Sequence, residues 1–158
     1  MAIRNIVLEG DEILRKRCKE VKEVDDRIRM ILDDLTETMR NKDGLGIAAP
    51  QVGIMRRILV VEPEKGELLE LINPVIIESS GVQTGEEGCL SVPGYVGVVE
   101  RPEFIKVEAL DRHGNKAVHE ATGLKAVAIS HEIDHLEGVL YVDKATDVHE
   151  IEAPPEEE

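Results

Sequence analysis

His131-Glu132-Ile133-Asp134-His135, inside the apolar-periodic run from Leu124 to Leu136, decides how this chain is read. The pentapeptide has the pattern H-E-x-x-H. On a helix, residues four apart share a face, about 6 Å apart along the axis, so two imidazoles at that spacing can hold one metal ion. Glu132 sits beside the first imidazole, placed to reach a metal-bound water rather than the metal itself. Leu124, Val127, Ala128 and Ile129 give the same helix an apolar face, with Gly123 before it and Gly138 after it as punctuation. The pentapeptide alone leaves a second reading open, two surface histidines on an amphipathic helix, and the rest of the chain has to decide.

Length and composition bound the answer. A chain of 158 residues is most simply one domain and is long enough to bury a real core. With 42% hydrophobic and 33% charged residues, it reads as soluble and globular. No run approaches the roughly 18 apolar residues of a membrane helix. Met1 to Gly10 shows no secretory signal, so a cytoplasmic or organelle-matrix protein is expected. The net charge of −14 opposes a general affinity for phosphate backbones, and 2% aromatics with no Trp make base-stacking platforms a poor fit. Neither nucleic-acid nor membrane partners are expected. In this setting the two cysteines, Cys18 and Cys89, read as a buried thiol or a metal ligand rather than a disulfide.

Taken in order, Asp11 caps a short helix holding Ile13, Leu14 and Cys18. Basic neighbours could lower the Cys18 pKa, but it reads as a packing residue. Asp25 or Asp26 then caps a longer helix whose stripe of Ile28, Ile31, Leu32, Leu35 and Met39 is core. The small-residue stretch Gly44-Leu45-Gly46-Ile47-Ala48-Ala49-Pro50-Gln51-Val52-Gly53 lacks the Lys and spacing of a phosphate loop, but lets a backbone approach a ligand closely. Strands are expected at Ile58 to Val61, Leu68 to Ile77, Val96 to Val99, Phe104 to Leu110, Lys116 to Ala121 and Val139 to Val142, with a polar loop from Val82 to Gly88. His113 and His119, in the hairpin, read as solvated. A single catalytic domain over 1–146 and a frayed acidic tail over 147–158 are expected, the latter ending Pro154-Pro155-Glu156-Glu157-Glu158. The class is α+β: antiparallel sheets packed around the central H-E-x-x-H helix, with an N-terminal helix pair.

A catalytic zinc-type site takes three protein ligands and leaves a position for water. The pattern H-E-x-x-H-x-x-G-x-x-H is matched through Gly138, but Tyr141 stands where the last His belongs. Downstream carboxylates (Asp143, Asp147, Glu150 and Glu152) have no second helix to hold them. Cys89, in a glycine-flanked loop, offers a thiolate that suits borderline and soft metals, and is preferred.

Gly44-Leu45-Gly46-Ile47-Ala48-Ala49-Pro50-Gln51, Glu87-Gly88-Cys89-Leu90-Ser91 and His131-Glu132-Ile133-Asp134-His135 resemble, in order, the three motifs of the peptide deformylases, and the similarity extends to Val142. The resemblance implies a hydrolase that removes the N-formyl group from the initiator methionine of nascent polypeptides. It implies one divalent metal, Fe(II) in the cell with Zn, Ni or Co possible in purified protein, held by Cys89, His131 and His135. It implies proton handling by Glu132, and oxyanion stabilisation by Gln51 and the backbone N–H of Leu90. Leu45, Gly46, Gly88, Leu124, Val127 and Ala128 match positions that hold the substrate backbone or line the methionine pocket.

The chemistry agrees. A formamide is a poor electrophile with a poor amine leaving group. A metal brings the pKa of bound water towards about 7, supplying hydroxide to attack the formyl carbon. Neutral donors suit the tetrahedral oxyanion, and Glu132 can carry the water's proton to the amine. Two departures stand out. The family's usual Gln before the first His is Ser130 here, and the short acidic tail does not resemble a basic ribosome-docking helix. A zinc endopeptidase using a tail carboxylate, and a non-catalytic metal- or peptide-binding module, are the competing readings.

Overall fold

The structure is a computed structural model, described here for residues 2–151. The segment Glu12–Arg15 forms a single 3₁₀ turn, with the Asp11 side chain accepting from the Ile13 N–H. Cys18 lies outside it, so the expected N-terminal helix pair is one short turn and one true helix. That helix, α1 (Asp26–Asn41), starts where the Asp25 carboxylate accepts the Ile28 N–H, satisfying one of the free donors of a first turn. Its expected stripe, Ile28 to Met39, is buried.

Among the described residues, eight strands form two antiparallel sheets. The larger, ordered β1-β2-β3-β6-β7, is built from β1 (Gly46–Ala48), β2 (Ile58–Val61), β3 (Leu69–Ser80), β6 (Phe104–Leu110) and β7 (Lys116–Thr122). The smaller, ordered β4-β5-β8, contains β4 (Gln83–Cys89), β5 (Val92–Arg101) and β8 (Thr146–Glu150). The second helix, α2 (Gly123–Leu136), carries the H-E-x-x-H residues. It packs against the larger sheet and reaches β5 of the smaller one.

β2 explains its own composition. Ile58 and Val60 point into a core shared with α1, through Ile31, Leu32, Leu35 and Met39. Leu59 and Val61 point into a second core shared with α2, through Ala126, Ala128, Ile129 and Leu136. A strand covered on both faces has no polar side to alternate with, hence the continuous apolar run. Each such fully buried side chain contributes about 1.5–3 kcal/mol relative to exposure. A third core, under the smaller sheet, gathers Leu14, Val92, Val99, Leu140 and Tyr141.

Three expectations need correction. The polar stretch 82–88 is not a loop. Its greater part is strand β4, an edge strand whose outward residues are free to be polar because only one flank is paired, with β5. The apolar stretch 139–142 is not a strand. Leu140 and Tyr141 are buried, but the chain turns there as a 3₁₀ segment, Tyr141–Asp143. Residues 147–150, expected to begin a frayed tail, belong to β8 and pair with β5 through Tyr95↔Glu150 and Val96↔His149. The remainder of that tail, 152–158, lies outside the described residues. His113 is exposed as expected, whereas His119 is half-buried and faces inward opposite Val107.

Candidate metal centre and cleft

α2 places His131 and His135 one turn apart, with ring centroids 5.1 Å from each other, on a stretch of helix that is buried rather than solvated. The surface-histidine reading therefore fails. Cys89 comes to them from the end of β4. The β4–β5 register slips between Glu87 and Cys89, and the chain turns back into β5 immediately afterwards. That slip re-aims the thiol, the usual consequence of an extra residue in a ladder. The Cys89 Sγ lies 3.3 Å from His135 Nε2, and one donor atom from each of Cys89, His131 and His135 lies within 4.8 Å of the others.

This donor set fits a metal. A sulfur at about 2.3 Å and nitrogens at about 2.0–2.1 Å from a tetrahedral ion would be separated by distances of this order. His131 Nδ1 is 2.8 Å from Glu87 Oε1. A carboxylate partner fixes Nδ1 as the protonated nitrogen and leaves the Nε2 lone pair for a metal. Among the described residues, no other cluster of three His, Cys, Asp or Glu has this closeness. Asp143, one of the downstream carboxylates, is engaged by Arg15 and by the Leu140 N–H.

Glu132 lies between the two histidines and is buried, with Oε1 free of any hydrogen-bond partner. Burial pushes its carboxyl up to about 7, against the opposing pull of His131 and Arg101. Gly46 of β1 lies directly against it. A Cβ on residue 46 would sit 2.9 Å from Glu132 Oε2 and 3.0 Å from Val61 Cγ1, so only glycine fits there without displacing the carboxylate.

Gln51 is buried at the end of the small-residue stretch. Its Oε1 accepts the Ala48 N–H at 2.9 Å, and its Nε2 donates to Ser91 Oγ at 3.1 Å and towards Cys89 Sγ at 3.6 Å. The amide nitrogen therefore faces the cluster of Cys89, His131 and His135. The N-terminal segment ties these two motifs together, the Val7 N–H donating to Gln51 O and the Glu9 N–H to Ser91 O, both at 2.7 Å.

A cavity of about 380 Å³ opens over this centre. Leu45, Gly46, Gly88, Leu90, Leu124, Val127 and Ala128 all line it, together with Gln51, Cys89, His131 and Glu132. His135 lies beneath, buried. Cys18 is elsewhere, in the core under the larger sheet, where burial raises its thiol to about 11. Its basic neighbours do not overcome that burial. Ser130 is buried with its hydroxyl unpartnered.

Sequence reading missed Glu87 as a partner of His131, although it stands inside a quoted motif. It also missed Arg101, Asp134, Ser91 and Tyr141. Arg101 is buried, donates through Nε and Nη2 to both Glu87 oxygens at 2.8 Å, and through Nη1 to Asp134 Oδ2 at 2.6 Å. Burial alone would raise the Glu87 carboxyl, but Arg101 and His131 outweigh it and hold it at about 2. Tyr141 stacks on His131 with ring centroids 6.0 Å apart and donates its hydroxyl to Tyr95 O. The residue standing where a metzincin-type ligand would be thus buttresses the first histidine instead.

The polypeptide deformylase family model matches residues 3–150. A peptide deformylase of Lachnoclostridium phytofermentans is 49% identical, the alignment covering 100% of this chain and 99% of that protein. One of Acetivibrio thermocellus is 53% identical over 91% of this chain and 84% of that protein. Among solved structures, the peptide deformylase of Thermotoga maritima superposes with a TM-score of 0.90 at 38% identity, covering 92% of this chain and 99% of that one.

Proposed function

The chain belongs to the peptide deformylase family, and from that premise we propose that it removes the N-formyl group from the initiator methionine of nascent polypeptides, using a metal held by Cys89, His131 and His135. Action in the cytoplasm, or in an organelle matrix, is part of this reading. The observation that carries it is the convergence of one thiol and two imidazoles within 4.8 Å beneath a cleft that also presents Gln51 and Glu132.

The metal, when bound, supplies a Lewis acid that acidifies water and polarises the formyl oxygen. The remaining work falls to the chain. The apolar wall of Leu124, Val127 and Ala128, facing Leu45 and Gly46, takes the unbranched methionine side chain and excludes water from it. Gly88 and Gly46 allow the substrate backbone to lie close to the edges of β4 and β1. The Gln51 Nε2 and the Leu90 N–H donate to the oxygen of the formyl group as it gains charge. Glu132, between the histidines with an oxygen free, takes a proton from the attacking water and delivers it to the departing amine nitrogen.

Gln51→Leu tests the oxyanion role. With its amide orientation fixed by Ala48 and Ser91, the side chain is preorganised, and losing such a donor costs about 10²–10³ in kcat. We expect that fall with KM for a formyl-Met peptide changed less than threefold. An unchanged kcat would take Gln51 out of the reaction.

Fe(II) is the proposed metal in the cell, with Zn, Ni or Co accepted in purified protein. A thiolate beside a redox-active ion in an open cleft is exposed to oxidation. Protein purified without oxygen is therefore expected to contain iron and to lose activity in air, whereas the Ni(II) and Co(II) forms persist. Equal air stability of all forms would count against iron. A formyl-Met peptide assay on the same anaerobic preparation tests the function: no release of formate would refute it.

A further inference from the structure

The third and fourth positions of the H-E-x-x-H pentapeptide carry no role in the motif, yet Asp134 is engaged from outside the helix. Arg101, in β5, is gripped by two carboxylates on two different elements: Glu87 of β4 at both oxygens, and Asp134 of α2. The Arg101 side chain is 3% exposed, Glu87 7% and Asp134 17%. Lys144 adds a second cation to Asp134 at 3.0 Å. Two acids surround one buried arginine, so the cluster is bound by charge as well as by a bidentate fork.

The place of this cluster gives it meaning. Glu87 is two residues before Cys89, on the near side of the register slip that aims the thiol. Asp134 is adjacent to His135 and one turn from His131. The thiol comes from one sheet and the imidazoles from a helix, so nothing local to either sequence segment fixes the gap between them. We propose that Arg101, with Asp134, is a positioning clamp. It straps the β4–β5 hairpin to α2 and so sets the distance of the Cys89 thiolate from the two histidines, while its hold on Glu87 keeps that carboxylate aligned on His131 Nδ1. Neither Arg101 nor Asp134 is a ligand, and neither is a donor to substrate. The inference rests on the metal reading given above.

The test uses Co(II), whose bond to a thiolate gives a charge-transfer band in the near ultraviolet that imidazole ligands do not give. Asp134→Ala cuts the helix arm at the more exposed of the two carboxylates and leaves Arg101 its bidentate pair with Glu87. Arg101→Lys keeps the buried charge but cannot form the fork. For both, the Co(II) dissociation constant is expected to rise by about 10–100-fold, the usual result of losing a contact that orients ligands. The thiolate band is expected to weaken in folded protein of wild-type helix content, over and above the fall in melting temperature that breaking a buried ion pair brings. A residue with a merely structural role would move the melting temperature and leave the band intact. If both variants bind Co(II) within threefold of wild type with an undiminished band, there is no clamp. If Arg101→Lys does not fold, Asp134→Ala decides by the same two readings. A wild-type protein that shows no thiolate band with Co(II) overturns the metal reading itself and the clamp with it. A wild-type band that survives unaltered in the variants overturns the clamp alone.

Discussion

Replacing Glu132 by Gln is expected to slow deformylation by about 10²–10⁴-fold, the usual contribution of a positioned general acid–base group, with metal content unchanged. The carboxylate lies between His131 and His135 on one helix, and its Oε1 meets no protein donor. Gly46 leaves it just enough room, with no space for even a methyl group alongside. Gln keeps the shape and one oxygen acceptor but cannot carry a proton. Affinity for a product-like methionine peptide should therefore stay near that of wild type, and the loss should appear in a single-turnover assay on protein of known metal content. The pH profile adds an independent reading. A base works in its ionised form, so the rate rises as pH passes upward through its pKa. Burial sets that value at about 7, and a cation bound beside the group would lower it further. The acid limb of the wild-type profile is thus expected below pH 7 and should be absent from Glu132→Gln. A variant within about threefold of wild type, far short of that contribution, would remove Glu132 from the mechanism. One that had lost its metal would make the residue structural.

Cys89→Ala is expected to leave far less than one equivalent of metal per chain and to abolish deformylation, whereas Cys18→Ala keeps both. The two thiols make a matched comparison within one molecule. Cys89 points at His135 Nε2 from 3.3 Å and lines the cleft. Cys18 is enclosed by the core under the larger sheet, and burial raises its pKa to about 11. A thiol that far above its ordinary value is neither a ready ligand nor a ready nucleophile. Metal analysis of both variants after purification without oxygen is the measurement. A full equivalent of metal in Cys89→Ala would break the three-ligand assignment, and would return attention to the carboxylates that follow the helix.

Much of the site could be read from residues alone because its geometry is local. His131 and His135 share a face whenever 131–135 is helical, since the helix repeat fixes it. The Glu at the second position is likewise placed by the same turn. The α1 stripe and its Asp25 cap were legible for the same reason, as periodicity and capping act within a few residues. Ile58 to Val61 was legible as a strand, although only the tertiary structure showed why it lacks alternation: a helix covers each face.

What the tertiary structure decided is whatever depends on distant partners. The polar stretch that became β4 has little apolar character to announce a strand, and its conformation comes from pairing with β5. The apolar Val139 to Val142 signalled burial correctly but not conformation, because a buried side chain can be delivered by a 3₁₀ turn as well as by a strand. Thr146–Glu150 is exposed along its length and is a strand only because β5 offers it a free edge. The same division runs through the site. The identities of Cys89, His131, His135, Glu132 and Gln51 were readable from short motifs. The contacts that fix their orientation were not. Glu87 meets His131 across 44 residues, Gln51 meets Ser91 across 40, and Arg101 meets Asp134 across 33. No periodicity or cap encodes such distances. They arise only when two sheets and a helix close on one another and buried charges must find opposite charges to remain buried.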